Sequence, residues 1–230
     1  MLFAYTGQEE SEYPEIFEKM YRQRYEIYVQ RRKWKDLRPV GGLEKDQYDK
    51  DSAIYLMALD NDDDILACLR LLPTTEPHIL GDLFPHLAQT GGVPRDGKIL
   101  ELTRLYVAPF KASKAVRDWL IGVLCAGMIE YCQANKITQI TSVIDTFILR
   151  MVLSMGCAVR PLGLPQAYPE GNAVAVAVNM TLANLEAIRR SRGVSGPVFV
   201  RNRQEPARIP AVVRLPSASV PALMSVSMSV

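Results

Sequence analysis

Apolar residues spaced three and four apart open the first clear element of the chain. Phe17, Met20, Tyr21, Arg24 and Tyr28 share one face of an amphipathic helix predicted over residues 14 to 34. Arg24 is a charge on that apolar stripe, where it needs a carboxylate or a ligand against it. A loop carrying Trp34, Pro39, Gly41 and Gly42 follows. Two apolar runs, 53 to 59 (AIYLMAL) and 65 to 72 (ILACLRLL), read as strands joined by a hairpin turn at Asp60-Asn61-Asp62-Asp63-Asp64. No Gly and Glu follow that acidic run at calcium-loop spacing, so it reads as a solvated turn. A strand at 98 to 107 (KILELTRLYV) precedes a long helix that starts near Ser113, a good N-cap. Next come a buried strand at 137 to 144 (ITQITSVI) and a helix opened by Asp145 and closed by Gly156. A strand at 173 to 180 (AVAVAVNM) and a final helix from Thr181 to Arg192, ended by Gly193, complete the order. Strands that first pair by a hairpin and then alternate with helices predict an α/β (α+β) fold, a mixed twisted sheet flanked by helices. From about 194 the composition turns to Pro, Ser, Val and Arg without a period. Residues 1 to 195 are therefore expected to form one domain, and 196 to 230 an extended or disordered tail.

Composition narrows the function. The 230 residues are 48% hydrophobic, enough for one filled core. Lys and Arg total 27 against 25 for Asp and Glu, a net charge of +2, which argues against a protein that wraps nucleic acid. Cys68, Cys125, Cys132 and Cys157 form no C-x-x-C pair, and His78 and His86 are the only histidines, so no metal site is expected. All four cysteines sit in apolar surroundings and read as buried thiols. The N-terminus MLFAYTGQEE lacks the basic-then-apolar layout of a secretion signal. Arg117, Asp118 and Glu130 interrupt the apolar helix from Val116, so it does not read as membrane-spanning. The expectation is a cytoplasmic protein without stable membrane insertion.

The informative charges are those inside apolar elements. Arg70 is flanked by leucines, Glu101 and Arg104 lie in KILELTRLYV, and Asp46 and Asp49 sit in LEKDQYDKD just before the first predicted strand. With Arg24 these make three arginines and three carboxylates, and pairwise neutralisation with full hydrogen bonding is the simplest way to bury them. Such pairs either cross-link the first helix to the sheet or line a polar cleft for a zwitterion. Glu101 and Arg104 are three apart and would face opposite sides of a regular strand. Both can serve one site only if a β-bulge lies between them.

The array Arg24-x-x-x-Tyr28, Trp34, Asp46 and Asp49 of DQYD, Arg70, Phe84 and the ELTR of Glu101 to Arg104 resembles the acyl-homoserine lactone synthases, or autoinducer synthases. The segments LRLLPT (69 to 74) and ILELTRLYV (99 to 107) carry the likeness most closely, and it runs from about residue 1 to 195. Tyr28 departs from the family's usual Phe and adds a hydroxyl that needs a partner when buried. The resemblance implies the three-layer fold of the GCN5-related N-acetyltransferases. Those enzymes carry a Gly-rich turn for the coenzyme A pyrophosphate. Here the stretch is APFKASKAV, without glycine, which favours an acyl-carrier-protein donor over acyl-coenzyme A.

The implied function is transfer of an acyl group from a thioester to the amine of S-adenosylmethionine (SAM), followed by lactone closure and release of methylthioadenosine. SAM is then a substrate, and no permanently bound cofactor is expected. The resemblance assigns Glu101 as base or orienting group, and places Arg104, Arg70, Asp46 and Asp49 in an electrostatic cluster. Pairing with Arg104 would lower Glu101 below the ordinary carboxylate range. Arg24, Tyr28 and Trp34 are expected to form the SAM pocket, with Phe84 near the reacting centre. Acyl specificity falls to the strand at 137 to 144 and the helix after it, with Thr141, Ser142, Ile144 and Thr146 as candidates. Arg150, Lys111, Lys114 and Arg117 are the candidate basic patch for an acidic carrier protein. The competing readings are a coenzyme A-dependent N-acyltransferase of another amine and a non-catalytic protein that binds SAM or an acyl chain.

Overall fold

The computed structural model describes residues 1–109 and 112–201. Strand β1 (Leu2–Thr6) leads through a 3-10 turn (Gly7–Ser11) into helix α1 (Pro14–Arg24), which continues as a π-helical segment (Tyr25–Arg31). A long loop connects to the hairpin of β2 (Ile54–Leu59) and β3 (Ile65–Pro73). Short α2 (Ile79–Asp82) and a 3-10 turn (Pro85–Leu87) precede β4 (Ile99–Val107). Then follow α3 (Lys114–Ala134), β5 (Gln139–Asp145), α4 (Thr146–Ser154), β6 (Val159–Pro161), β7 (Gln166–Tyr168), β8 (Gly171–Asn179), α5 (Leu182–Arg192) and β9 (Phe199–Val200).

All the described strands join one mixed sheet in the order β6-β8-β5-β4-β3-β2-β1-β9, with β7 also paired to β8. Both faces are covered, so β2 is apolar throughout rather than alternating. Leu56 and Ala58 enter the core against α3 and α5, where Leu120, Leu124, Ile129, Leu185 and Ile188 meet Leu69 and Leu71. Tyr55, Met57 and Leu59 point the other way, with Cys68 and Tyr106, to Phe17, Met20, Tyr21 and Tyr28 of the first helix. A third cluster packs Leu80 and Leu87 on Ala173, Ala175 and Ala177 of β8. The result is the helix–sheet–helix layering that the alternation predicts.

Two irregularities shape the middle of the sheet. Between β3 and β4, Cys68 pairs Tyr106 while Arg70 pairs Thr103, so β4 holds one extra residue there. Arg104 lies in that bulge with φ of 49°, a left-handed backbone that non-glycine residues seldom adopt. The second is the parallel pairing of β4 and β5, which runs only from Ile99 opposite Gln139 to Glu101 opposite Thr141. Past that rung the strands part, and Ser142 Oγ donates across to the Leu102 carbonyl at 2.8 Å.

Several expectations change. The helix predicted over 14 to 34 stops being α-helical at Arg24, and Trp34 lies beyond its end. The bond from Arg32 N–H to Ile27 O, five residues back, marks the wider turn, which carries the neighbours Ile27 and Tyr28 both into the core. Strands β1 and β9 were not foreseen. β9 runs parallel to β1, so the folded chain extends past residue 195 to at least Val200. The rest of the expected tail, 202 to 230, lies outside the described residues. The predicted caps hold at Ser113 and Gly193, and Thr181 caps α5 in place of opening it: the two hydroxyls accept from Val116 and Asn184 N–H, and Gly193 takes φ of 64°. Asp145 precedes α4 but does not cap it with its side chain; its carboxylate accepts the Tyr168 hydroxyl instead.

Candidate functional site

The site is built on β3, β4, the end of α1 and the loop before β2. Arg24, in the last turn of α1, donates Nε to Glu44 at 2.6 Å and both Nη atoms to Asp49 at 2.8 and 2.9 Å. Arg70, midway along β3, donates Nη1 to Asp46 at 2.7 Å and to Asp49 at 2.6 Å, Nη2 to Asp46 at 3.0 Å, and Nε to the Thr103 hydroxyl at 3.0 Å. Arg104, thrown toward the same loop by the bulge, donates to both oxygens of Glu44 at 3.2 and 2.9 Å and to Asp46 at 2.7 Å. Three guanidinium groups thus meet three carboxylates in a closed, neutral network of charge-assisted bonds. The loop is locked by its own acids, since Asp46 N–H donates to Asp49 and Tyr48 N–H to Asp46.

Burial sorts the members. The side chains of Arg24, Arg70, Glu44 and Asp49 are at most 2% exposed, whereas Asp46 is 14% and Arg104 8% exposed. The first four form the closed frame, and Asp46 and Arg104 are its most exposed members. Burial by itself would raise Glu44, but Arg24 and Arg104 overcome it and hold the carboxyl at about 2. Burial likewise opposes the charge on Asp49, and Arg24 and Arg70 hold it well below the usual carboxylate range. Tyr55 adds a hydroxyl bond to Asp49 at 2.8 Å.

Glu44 is the residue that sequence reasoning missed, and Glu101 is the one it misplaced. Glu101 does not pair with Arg104 and belongs to no arginine pair among the described residues. Its oxygens accept the N–H groups of Ile79 and Leu80, at 2.7 Å each, at the start of α2. It is wholly buried, and burial pushes its carboxyl up to about 7 against the opposing pull of those N–H groups and, more weakly, of Arg70. The expected downward shift is therefore reversed. The predicted bulge is present and does bring Arg104 to the face that holds Thr103 and Glu101.

Beside the cluster, Tyr28 and Trp34 stack with ring centroids 4.8 Å apart. The Arg104 guanidinium lies 5.3 Å from the Tyr28 ring and 5.7 Å from that of Trp34, and exposed Arg32 covers the same pair at 5.4 and 5.7 Å. Arg32 also escaped the sequence reading. The added Tyr28 hydroxyl donates to the Leu105 carbonyl at 3.1 Å. Phe84 is half-buried, edge-on to Tyr168 with centroids 6.4 Å apart. Ser142 is buried and tied to β4, while Ile144 is half-buried at the end of β5. Arg150 and Lys114 are exposed, and Lys114 pairs with Asp118 one turn on. Lys111 lies outside the described residues. The cluster, the ring pair and Glu101 thus form one neighbourhood; of the docking candidates, Lys114 lies at the start of α3 and Arg150 on α4.

A mixed sheet that opens between β4 and β5, with an ionic wall and a buried carboxylate beside the opening, defines an acyltransferase-like fold. A putative N-acetyltransferase from Lactobacillus plantarum shares this fold alone, at a TM-score of 0.50 and 13% identity over 78% of this chain and 99% of that one. The chain itself belongs to the autoinducer synthase family, whose model matches residues 8–188. It is 30% identical over 214 residues, 93% of this chain and 94% of that protein, to an isovaleryl-homoserine lactone synthase from Bradyrhizobium diazoefficiens. A solved structure of the coenzyme A-dependent acyl-homoserine lactone synthase BjaI, with SAM and isopentyl-coenzyme A, superimposes at a TM-score of 0.78 with 30% identity, covering 87% of this chain and 92% of that one.

Proposed function

We propose that this protein makes an N-acyl-L-homoserine lactone from SAM and an acyl thioester. The observation that carries the reading is a neutral ionic wall with only Asp46 and Arg104 accessible, set beside a buried carboxylate whose proton affinity lies near neutrality. Asp46 meets the ammonium end of the amino acid and Arg104 its carboxylate, while Tyr28 and Trp34 pack the nucleoside. The SAM nitrogen attacks the thioester carbonyl, the C–N bond forms, the C–S bond breaks, and the thiolate leaves. Glu101 takes the proton that the nitrogen gives up and returns it to the thiolate. The SAM carboxylate oxygen then attacks its own γ-carbon. That carbon's bond to the sulfonium breaks, and neutral methylthioadenosine departs. Closure mainly requires a folded substrate, a positioning task for the wall.

The strength of the base supports this role. An amino group near 8 and an ordinary carboxylate near 4.3 leave a gap that costs about 5 kcal/mol, whereas Glu101 at about 7 reduces it to roughly 1.4 kcal/mol. We assign acyl-coenzyme A as the donor, supported by the likeness to a coenzyme A-dependent synthase, with acyl-carrier protein as the second reading favoured by the glycine-free APFKASKAV. Among the described residues no helix is long and apolar enough to cross a membrane. Both substrates are metabolites of the cytoplasm, which is the compartment we assign. Mass spectrometry of the protein with SAM and paired coenzyme A and carrier-protein thioesters tests this reading. Acyl-homoserine lactone and methylthioadenosine should appear together, with the coenzyme A series faster. Acylated amines without methylthioadenosine would replace it with an ordinary N-acyltransferase. Glu101→Gln should abolish turnover while SAM binding persists.

A further inference from the structure

Thr141 occupies the last rung at which β4 and β5 pair, directly opposite Glu101. In-register neighbours of a parallel pair share a sheet face, so both side chains point toward α2. On its other side Thr141 pairs with Ala177, a member of the apolar cluster around Leu80. The residue is wholly buried, and its hydroxyl has no hydrogen-bond partner among the described residues. Leaving such a group unpaired costs about 1–3 kcal/mol, which a valine of the same shape would avoid. The next residue shows the contrast: the Ser142 hydroxyl points to the other face and is satisfied by Leu102. Glu101 also has acceptor capacity to spare, since a carboxylate offers about four lone-pair sites and only two are taken by Ile79 and Leu80. Being wholly buried, it cannot meet a bulky amine directly.

We propose that Thr141 is a positioning residue whose hydroxyl holds one water against Glu101, at the point where β4 and β5 part, and that this water relays the proton from the substrate amine to Glu101. The inference rests on the reading of Glu101 as the base. In the relay the nitrogen gives its proton to the water oxygen as the water passes one of its own to the carboxylate, so the water is regenerated. The two hydroxyls on β5 then divide the work, with Ser142 holding the strand opening and Thr141 serving the proton path.

The test compares full-length Thr141→Val and Thr141→Ser with the parent in steady-state kinetics with SAM and its acyl thioester, alongside thermal melts. Thr141→Val should lower kcat at least about tenfold, a part of what general-base catalysis supplies. Its KM for SAM should stay within about threefold, which confines the loss to the chemical step. Its Tm should stay close to the parent's, because valine keeps the side chain's shape and adds no buried polar group of its own. Thr141→Ser should restore kcat. If the valine variant does not fold, Thr141→Ala carries the same expectation for kcat. A valine variant with parental kcat would overturn the relay, as would one in which kcat and Tm fall while KM for SAM rises well beyond threefold. Glu101→Gln separates the two ideas. An active Glu101→Gln protein removes the base and the relay with it, whereas an inactive one beside a fully active Thr141→Val removes the relay alone.

Discussion

Replacing Glu44 by Gln keeps the shape of a side chain that is 2% exposed and removes a charge shared by Arg24 and Arg104. Because the fold holds this carboxyl at about 2 instead of 4.5, its ionised form contributes about 3 kcal/mol at neutral pH. Loss of one partner from a buried ion network independently suggests about 3–5 kcal/mol. For a chain of 230 residues, 3 kcal/mol corresponds to a Tm lower by about 6–12 °C. The pH dependence has a definite sign. A carboxyl depressed by folding stabilises fully above its unfolded value, and the contribution fades as pH falls from 4.5 toward 2. Urea titrations of parent and Glu44→Gln should therefore differ by about 3 kcal/mol at pH 7 and converge on acidification. Glu18→Gln supplies the control, because Glu18 and Arg22 are both more than half exposed and such pairs contribute about 0.5 kcal/mol or less. A gap below about 1 kcal/mol at pH 7, or one that stays constant down to pH 3, would refute the view that Glu44 completes the network.

Three other outcomes follow from the same geometry. Arg104→Lys should lower kcat/KM for SAM by about 100-fold or more, since an ammonium cannot bridge Glu44 and Asp46 while covering two rings; near-parental kinetics would sink the assignment. Tyr28→Phe should cost about 1 kcal/mol in denaturant melts through the lost bond to Leu105, yet leave SAM affinity within about threefold by calorimetry. The rate kcat/KM should rise with pH through about 7 as Glu101 loses its proton, and a profile of Glu101→Gln that keeps this limb would assign it to another group.

The elements long enough to show a period were legible, and the short ones were not. β3, β4 and β8 each run nine residues with apolar cores, and their boundaries fell within two residues of the prediction. β1 has five residues, β9 has two, and both gain their place from neighbours distant in sequence. The bulge was legible because of a conflict: two charges three apart on one strand cannot both reach one site unless an extra residue intervenes. The π-helical segment left no such conflict, since the spacing of Arg24 and Tyr28 suits an α-helix equally well.

The misreading of Glu101 and Glu44 has one cause. Charges inside apolar strands announce themselves, so Arg70, Glu101 and Arg104 were found, and three cations were matched with three of the visible acids. Glu44 lies in a polar loop, where an acid is expected to be solvated, and only the fold reveals that its neighbour is the buried end of α1. Assigning it to the network changes the charge balance around β4. Glu44, Asp46 and Asp49 already neutralise Arg24, Arg70 and Arg104, so no cation is left over for Glu101. The two α2 amides solvate Glu101 without matching its charge, and its carboxyl stays near neutrality instead of falling with the others. The bulge enforces this division by aiming Arg104 at the loop. A regular β4 would leave Glu44 to Arg24 alone, and an Arg104 paired with Glu101 would hold that carboxyl too acidic to accept a proton from an amine. Segregating one acid from the network thus leaves, beside a cluster of six charges, a carboxyl with the proton affinity that the proposed base requires.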